Sequence, residues 1–241
     1  MTKSEKQFII ACVLGDGCIN MRYTNGKPYY RFLLKHCTAQ KDYLLSKISL
    51  LEPILTKYSK KSRIRTNDDI FHSEMHIALK SVKETEAICY QKGCTELKHI
   101  YHLIYKNNVK TFSRDVLNFL TPEGLAIWYM DDGSTYNVPN RQYNKYYKLR
   151  ATLNTYLSYE DNLIIVNYFQ DVWNVKWNIT KDKNSYRLQC GTREFIKFRE
   201  IILPYIVPCM QYKVELKMGQ KVINSAIPQT GDAEGEDIVQ I

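Results

Sequence analysis

The order of elements in this chain predicts an α+β fold made by duplication, with one α-β-β-α-β-β-α unit used twice. The alternating strand and helix order of a doubly wound sheet is absent. Three observations carry the prediction. Two apolar helices each run into an Asp-Gly pair, at Asp16-Gly17 and Asp132-Gly133, 116 residues apart in a chain of 241. A hairpin signal follows each pair, and a helix, a second hairpin and a closing helix follow in both halves, the mark of an internal repeat.

The first unit opens on Ser4-Glu5-Lys6-Gln7, which has capping-box form, followed by the apolar run Phe8 to Leu14 and a stop at Gly15-Asp16-Gly17. Asn25-Gly26, the strongest short hairpin signal, then turns the chain between Cys18 to Thr24 and Tyr29 to His36. A helix is expected over about Ala39 to Leu55. A second hairpin pairs Lys60 to Thr66 with Ile70 to Leu79 around Asn67-Asp68-Asp69, and a helix capped by Ser81 closes the unit near Tyr105. Residues 106–120 form a connector.

The second unit repeats the device. Thr121-Pro122-Glu123 supplies an N-cap, a first-turn proline and an acid at the positive helix end, and the apolar LAIWYM leads into Asp131-Asp132-Gly133. Ser134 to Val138 and Tyr146 to Asn154 make the first hairpin. From Lys148 to Asn154 polar and apolar residues alternate, which places Lys148, Arg150, Thr152 and Asn154 on one free face. A helix over Ser158 to Trp173 opens on Ser158 and Asp161. Val175 to Thr180 and Ser185 to Cys190 form the last hairpin around Lys181-Asp182-Lys183-Asn184, and Thr192 to Leu203 is the closing helix. The expected division is 1–105, the connector 106–120, 121–218, and a mobile acidic tail 219–241.

Composition limits the partners. Lys and Arg outnumber Asp and Glu by 34 to 25, a formal charge of +9, and residues 229–241 hold four acids and no Lys or Arg, so the rest of the chain carries +13. A field of that sign gathers polyanions, and in the absence of a basic amphipathic helix it favours nucleic acid over a membrane surface. No stretch approaches the ~18 apolar residues of a membrane span, and the run Phe8 to Leu14 is too short and too soon interrupted for a secretory signal. Seven cysteines without a paired ladder predict reduced thiols inside a cell. An organelle such as a mitochondrion, or a bacterial or phage-infected cytoplasm, is the expected compartment, since abundant Lys, Asn, Ile and Tyr suggest an AT-rich coding sequence.

Four hairpins with one apolar and one basic-polar face predict two sheets that rest on helices and present a saddle of polar strands. A two-stranded ribbon fits a DNA major groove, where Arg and Lys contact guanine and Gln pairs with adenine. The candidates are Arg31, Lys35, Lys61, Arg63, Arg65, Lys148, Arg150, Arg187 and Gln189. Asp16 and Asp132 stand at the negative ends of their helices, where a carboxylate is disfavoured unless a cation joins it. If the two motif helices pack together, the aspartates meet and repel, and a hard divalent ion resolves the repulsion. Beside a DNA-reading surface, that arrangement suits phosphodiester hydrolysis. Ala11 and Gly15 are small enough to let the helices approach.

IIACVLGDG (9–17) and LAIWYMDDG (125–133), the latter preceded by its Thr-Pro cap, resemble the two copies of the LAGLIDADG motif, and the order of elements over roughly residues 5 to 218 resembles the LAGLIDADG homing endonucleases of the single-chain, two-repeat branch. The resemblance implies Asp16 and Asp132 as metal-binding catalytic acids, with Gly15 and Asp131 at the adjoining backbone positions of the metal sites. It also implies a basic residue near each centre, Lys110 in Asn107-Asn108-Val109-Lys110-Thr111 and Lys213 in Gln211-Tyr212-Lys213, which polarises the attacking water or stabilises phosphate charge. Implied further are Mg²⁺, with Mn²⁺ as a substitute and no organic cofactor, and a monomer astride a long asymmetric double-stranded DNA site. Both strands would be cut to leave short 3′ overhangs. The enzyme would be free-standing or intron-encoded. Two other readings stay open on sequence: an RNA maturase that binds its host intron, and a DNA-binding regulator without chemistry.

Overall fold

The computed structural model describes residues 1–37, 40–58, 62–66, 72–77, 96–139 and 147–216. Its elements run α1 (Lys3–Leu14), β1 (Cys18–Thr24), β2 (Lys27–Cys37), α2 (Lys41–Tyr58), β3 (Ser62–Thr66) and β4 (His72–Ile77). A helix over residues 96–104, α3, leads to the short strands β5 (Tyr105–Lys106) and β6 (Val109–Lys110) and the one-turn α4 (Arg114–Leu117). Then come α5 (Pro122–Asp132), β7 (Gly133–Pro139), β8 (Tyr147–Leu157), α6 (Tyr159–Trp173), β9 (Asn178–Asp182), β10 (Ser185–Gly191) and α7 (Thr192–Ile202).

The duplication is visible in the pairing. Two four-stranded antiparallel sheets have strand orders β1-β2-β4-β3 and β7-β8-β10-β9, the same path traced twice. Asn25 and Gly26 both take positive φ, 49° and 73°, the left-handed pair that matches the twist of the flanking strands, and β1 pairs β2 in register from Thr24↔Lys27 to Cys18↔Leu33. The last hairpin closes on two residues, Lys183-Asn184. Its first strand starts at Asn178, later than the sequence suggests, because Val175 and Trp177 are spent on the core before pairing begins.

Helices α1 and α5 form the axis of the molecule. Phe8 to Leu14 and Gly124 to Met130 are buried without a break, so each helix is covered on every side, and neither has a polar stripe. Fully burying each large side chain is worth roughly 1.5–3 kcal/mol. Gly124 of α5 faces Ala11 of α1, where a Cβ would stand 3.4 Å from that of Ala11, an ordinary contact. Caps set the helix starts. In α5 Thr121 accepts from the Gly124 N–H at 3.1 Å, as expected. In α1 the capping box is Thr2 with Glu5, whose carboxylate accepts from the Thr2 N–H at 2.7 Å, so the helix begins one residue before Ser4, which sits in its first turn. In α6 Ser158 caps the Asp161 N–H at 3.1 Å.

Residues 106–120 carry more structure than a connector needs, since β5 and β6 pair and α4 is capped by Ser113. Among the described residues no helix is long and apolar enough to cross a membrane. The turn 67–71, the helix expected from Ser81 (up to residue 95) and the tail 219–241 lie outside the described residues, as does Lys61.

Candidate active site

The two motifs end side by side. A Cβ added to Gly15 would collide with the Asp131 side chain, so the close approach of the second motif to the first depends on glycine at that position. Asp131 fills the space, and its Oδ2 accepts from the backbone N–H of Asp16 at 3.1 Å.

Each motif end carries one lysine. Lys110, on β6, donates to the carbonyl of Gly15 at 3.0 Å. Lys213, from the 3-10 turn Pro208–Lys213, donates to the carbonyls of Met130 at 2.5 Å and Asp131 at 2.9 Å. Gly15 and Asp131 occupy the same place in the two motifs, so the two ammonium groups are related by the duplication, and both complement a negative helix end. The structure thus brings together Asp16, Asp132, Gly15, Asp131, Lys110 and Lys213.

Burial and mutual repulsion shape their ionisation. Burial, then the charges of Asp16 and Asp131, push the Asp132 carboxyl up to about 7, against the pull of Lys110 and the Trp128 indole N–H, which donates to its Oδ2 at 3.1 Å. Asp16, whose side chain is 40% exposed, is raised by its partial burial and by Asp131. Lys110 and Lys213 are lowered by burial, and the surrounding aspartates oppose the effect. The oxygens of Asp16 and Asp132 and the carbonyls of Gly15 and Asp131 make a hard donor set, and a carboxylate pair that raises its own proton affinity suits a hard divalent cation.

A second polar cluster escaped sequence reasoning. The Asp131 carboxylate is fully buried, with Oδ1 2.6 Å from Nζ of Lys47 and 2.8 Å from the hydroxyl of Tyr43, which donates to it. Lys47 lies 3.2 Å from Nε2 of His36 and 4.4 Å from the ring centroid of Tyr43. His36 Nδ1 stands 3.5 Å from Asp16 Oδ2. Burial and the Lys47 charge lower His36 to about 4, so its ring is neutral. Asp16, His36 and Asp131 offer atoms within 4.8 Å of one another, a metal-sized grouping. Within this grouping the Lys47 ammonium stands 2.6 Å from the Asp131 carboxylate, so that charge is already matched. One signal was present in the sequence: Lys47 interrupts the buried stripe Leu44, Lys47, Leu51 of α2.

On the second sheet a polar row crosses three strands. Arg150 donates to Gln189 Oε1 at 2.8 Å, and Gln189 donates to the Tyr136 hydroxyl at 2.6 Å. Arg187 faces Asp182 at 3.5 Å. Thr152 corrects the expectation of a free face, being buried against Ser134 with the hydroxyls 2.6 Å apart, while Asn154 donates to the carbonyl of Asp132 at 2.9 Å. The polar face of β8 therefore runs down from the outer sheet into the candidate site. Lys148 pairs with Val138 in the backbone register. On the first sheet Arg31 and Lys35 alternate along β2 with buried Tyr30, Phe32, Leu34 and His36, and Arg63 and Arg65 are register partners of His76 and Glu74.

Residues 6–198 match the model of the LAGLIDADG DNA endonuclease family. The chain is 24% identical over 219 residues to DNA endonuclease I-ChuI of Chlamydomonas applanata, covering 89% of this chain and 95% of that protein. It is 27% identical over 230 residues to Protein RecA of Mycolicibacterium flavescens, covering 88% of this chain but spanning only about half (47%) of that protein. Among solved structures, the homing endonuclease I-WcaI bound to its DNA recognition sequence has the same fold, with a TM-score of 0.64 over 90% of this chain and 88% of that one at 19% identity.

Proposed function

The chain belongs to the LAGLIDADG DNA endonuclease family, and from that premise we propose that it is a site-specific homing endonuclease. It would act as a monomer, bind one long asymmetric double-stranded DNA site across both sheets, cut both strands near the pseudo-twofold axis and leave short 3′ overhangs. The observation that carries the reading is the matched pair of motif ends, each with its aspartate and its lysine, packed against each other on the axis helices.

The oxygens of Asp16 and Asp132 and the Gly15 and Asp131 carbonyls would hold Mg²⁺, for which Mn²⁺ can substitute. Held there, a divalent ion would supply a hydroxide at neutral pH and would offset the charge on the leaving 3′ oxygen. The protein's own groups do the rest. Asp132 holds a proton up to about pH 7, which a bound cation would displace. Lys110 and Lys213, fixed by the carbonyls they bond, would present charge to a phosphate beside the motif ends and orient water there. Arg150 and Gln189, already joined in one row, offer the forked donors and the amide that discriminate base edges.

The test is to incubate the full chain with a randomised duplex library in Mg²⁺ or EDTA and sequence the cut ends. Mg²⁺-dependent staggered cuts at one long motif are expected. On that motif Asp16→Asn or Asp132→Asn abolishes double-strand cutting and leaves specific binding in place. Full cutting by either variant overturns the assignment of the aspartates, and a wild-type chain that binds intron RNA but cuts no DNA overturns the endonuclease.

A further inference from the structure

Asp16 and Asp132 are held in different ways. Asp132 is supported from within its own half, by the Trp128 indole on its carboxylate and by Asn154 on its carbonyl. Asp16 is supported across the interface: its backbone N–H donates to the Asp131 carboxylate of the other motif, and its own carboxylate faces His36. Both supports converge on Lys47, whose Nζ lies 2.6 Å from Asp131 and 3.2 Å from His36, on the inner face of α2. Tyr43, one turn earlier on the same helix, closes the arrangement by donating to Asp131 and to the carbonyl of Ile127 in α5.

Among the described residues the second half shows no counterpart. The motif position equivalent to Asp131 is Gly15, which brings no carboxylate. Helix α6 buries Ile165, Tyr168 and Phe169, and its one buried amide, Asn162, is taken up by the Thr155 hydroxyl at 2.6 Å. Among the described residues the device occurs once, in a fold otherwise built twice.

We propose that Lys47, assisted by Tyr43, is a positioning residue for Asp16, anchoring Asp131 across the repeat interface so that Asp131 holds the Asp16 backbone in place. Lys47 is buried, with 1% of its surface exposed. It acts through a buried ion pair, and removing one partner of such a pair strands the other in the interior. The loss falls on the first motif and spares the second, so the two strand cuts lose rate unequally. The strand-cutting consequence rests on the endonuclease reading above; the structural consequence does not.

The experiment uses the full chain without metal and then with DNA. Hydrogen exchange resolved at the Asp16 amide compares the wild type, Lys47→Met and the double variant Lys47→Met/Asp131→Asn. In Lys47→Met that amide exchanges at least tenfold faster while the buried stretches of α1 and α5 keep their protection. The double variant recovers protection, because the asparagine carbonyl still accepts from Asp16 N–H and no charge is left unpaired. On a supercoiled plasmid bearing the selected site, Lys47→Met with Mg²⁺ accumulates nicked circles that the wild type converts to linear DNA. Unchanged exchange at Asp16 overturns the proposal. So does a uniform loss of protection with both strands slowed equally, which is the signature of a merely structural lysine. If Lys47→Met does not fold, Tyr43→Phe decides the point: it removes the 2.8 Å bond to Asp131 and is expected to raise exchange at Asp16 by a smaller factor, and an unchanged rate refutes the proposal. If the wild type cuts no DNA, the endonuclease reading fails and the exchange result still tests the clasp.

Discussion

At the scale of single residues, proton affinity is the most informative property of the site. Asp132 is raised to about 7, so the folded protein holds its proton more tightly than the unfolded chain does. The contribution of this group to stability is full below about pH 4 and is lost as pH rises through 7. His36, lowered to about 4, works the opposite way over an overlapping range, so the effect is best taken as a difference between variants. Asp132→Asn and wild type are expected to be equally stable near pH 4 in EDTA. The variant then gains a lead that grows until about pH 8, where it reaches on the order of 4 kcal/mol, measured by urea denaturation. A constant difference across that range would remove the claim that Asp132 is strongly perturbed. That Asp16 and Asp132 end two apolar helices was legible from local pattern, whereas Lys110 and Lys213 were reached only through the family resemblance; their closeness to the motif ends comes from the fold. Lys47, Tyr43 and His36 were not legible, because their role exists only once α2 meets the opposite motif. A lysine on an apolar stripe says that a buried partner exists, but not which acid it is.

At the scale of elements, the local signals that worked were those with a stereochemical cause. Asn25-Gly26 takes the two positive φ values that its sequence suggests, and the Thr121-Pro122 start of α5 is capped as expected. The signals that failed were set by packing. Thr152 alternates correctly for a free face and is nonetheless buried, because the neighbouring strand brings Ser134 against it. Val175 and Trp177 have strand-like composition and fill the core instead. Closure of α1 on α5 gives the sharpest prediction at this scale. Gly15→Ala drives a methyl group into the Asp131 side chain, and overpacking of this kind costs roughly 1–3 kcal/mol. A lower melting temperature is expected, together with loss of cutting. A variant that melts with the wild type would show that the motif ends are looser than described.

At the scale of the whole molecule, charge sets how the protein finds DNA. The chain carries +9 overall and +13 without its last thirteen residues. If six to ten phosphates are neutralised, affinity should fall by about 10³ to 10⁵ between 50 and 200 mM salt, seen by gel shift of the selected site in Ca²⁺ or EDTA. A salt-insensitive complex would mean that the polar rows of the sheets, not the field, supply the affinity. The contact between Gly15 and Asp131 has a consequence for ancestry and engineering as well. A homodimer of first halves would set Gly15 against Gly15, with no acceptor for either Asp16 amide and each Lys47 without its acid. A homodimer of second halves would drive one Asp131 carboxylate into the other, without the Lys47 ammonium that pairs with it in the single chain. At this contact the two halves are complementary rather than interchangeable, so a homodimer of either half would lose the pairing that Asp131 makes with the Asp16 amide.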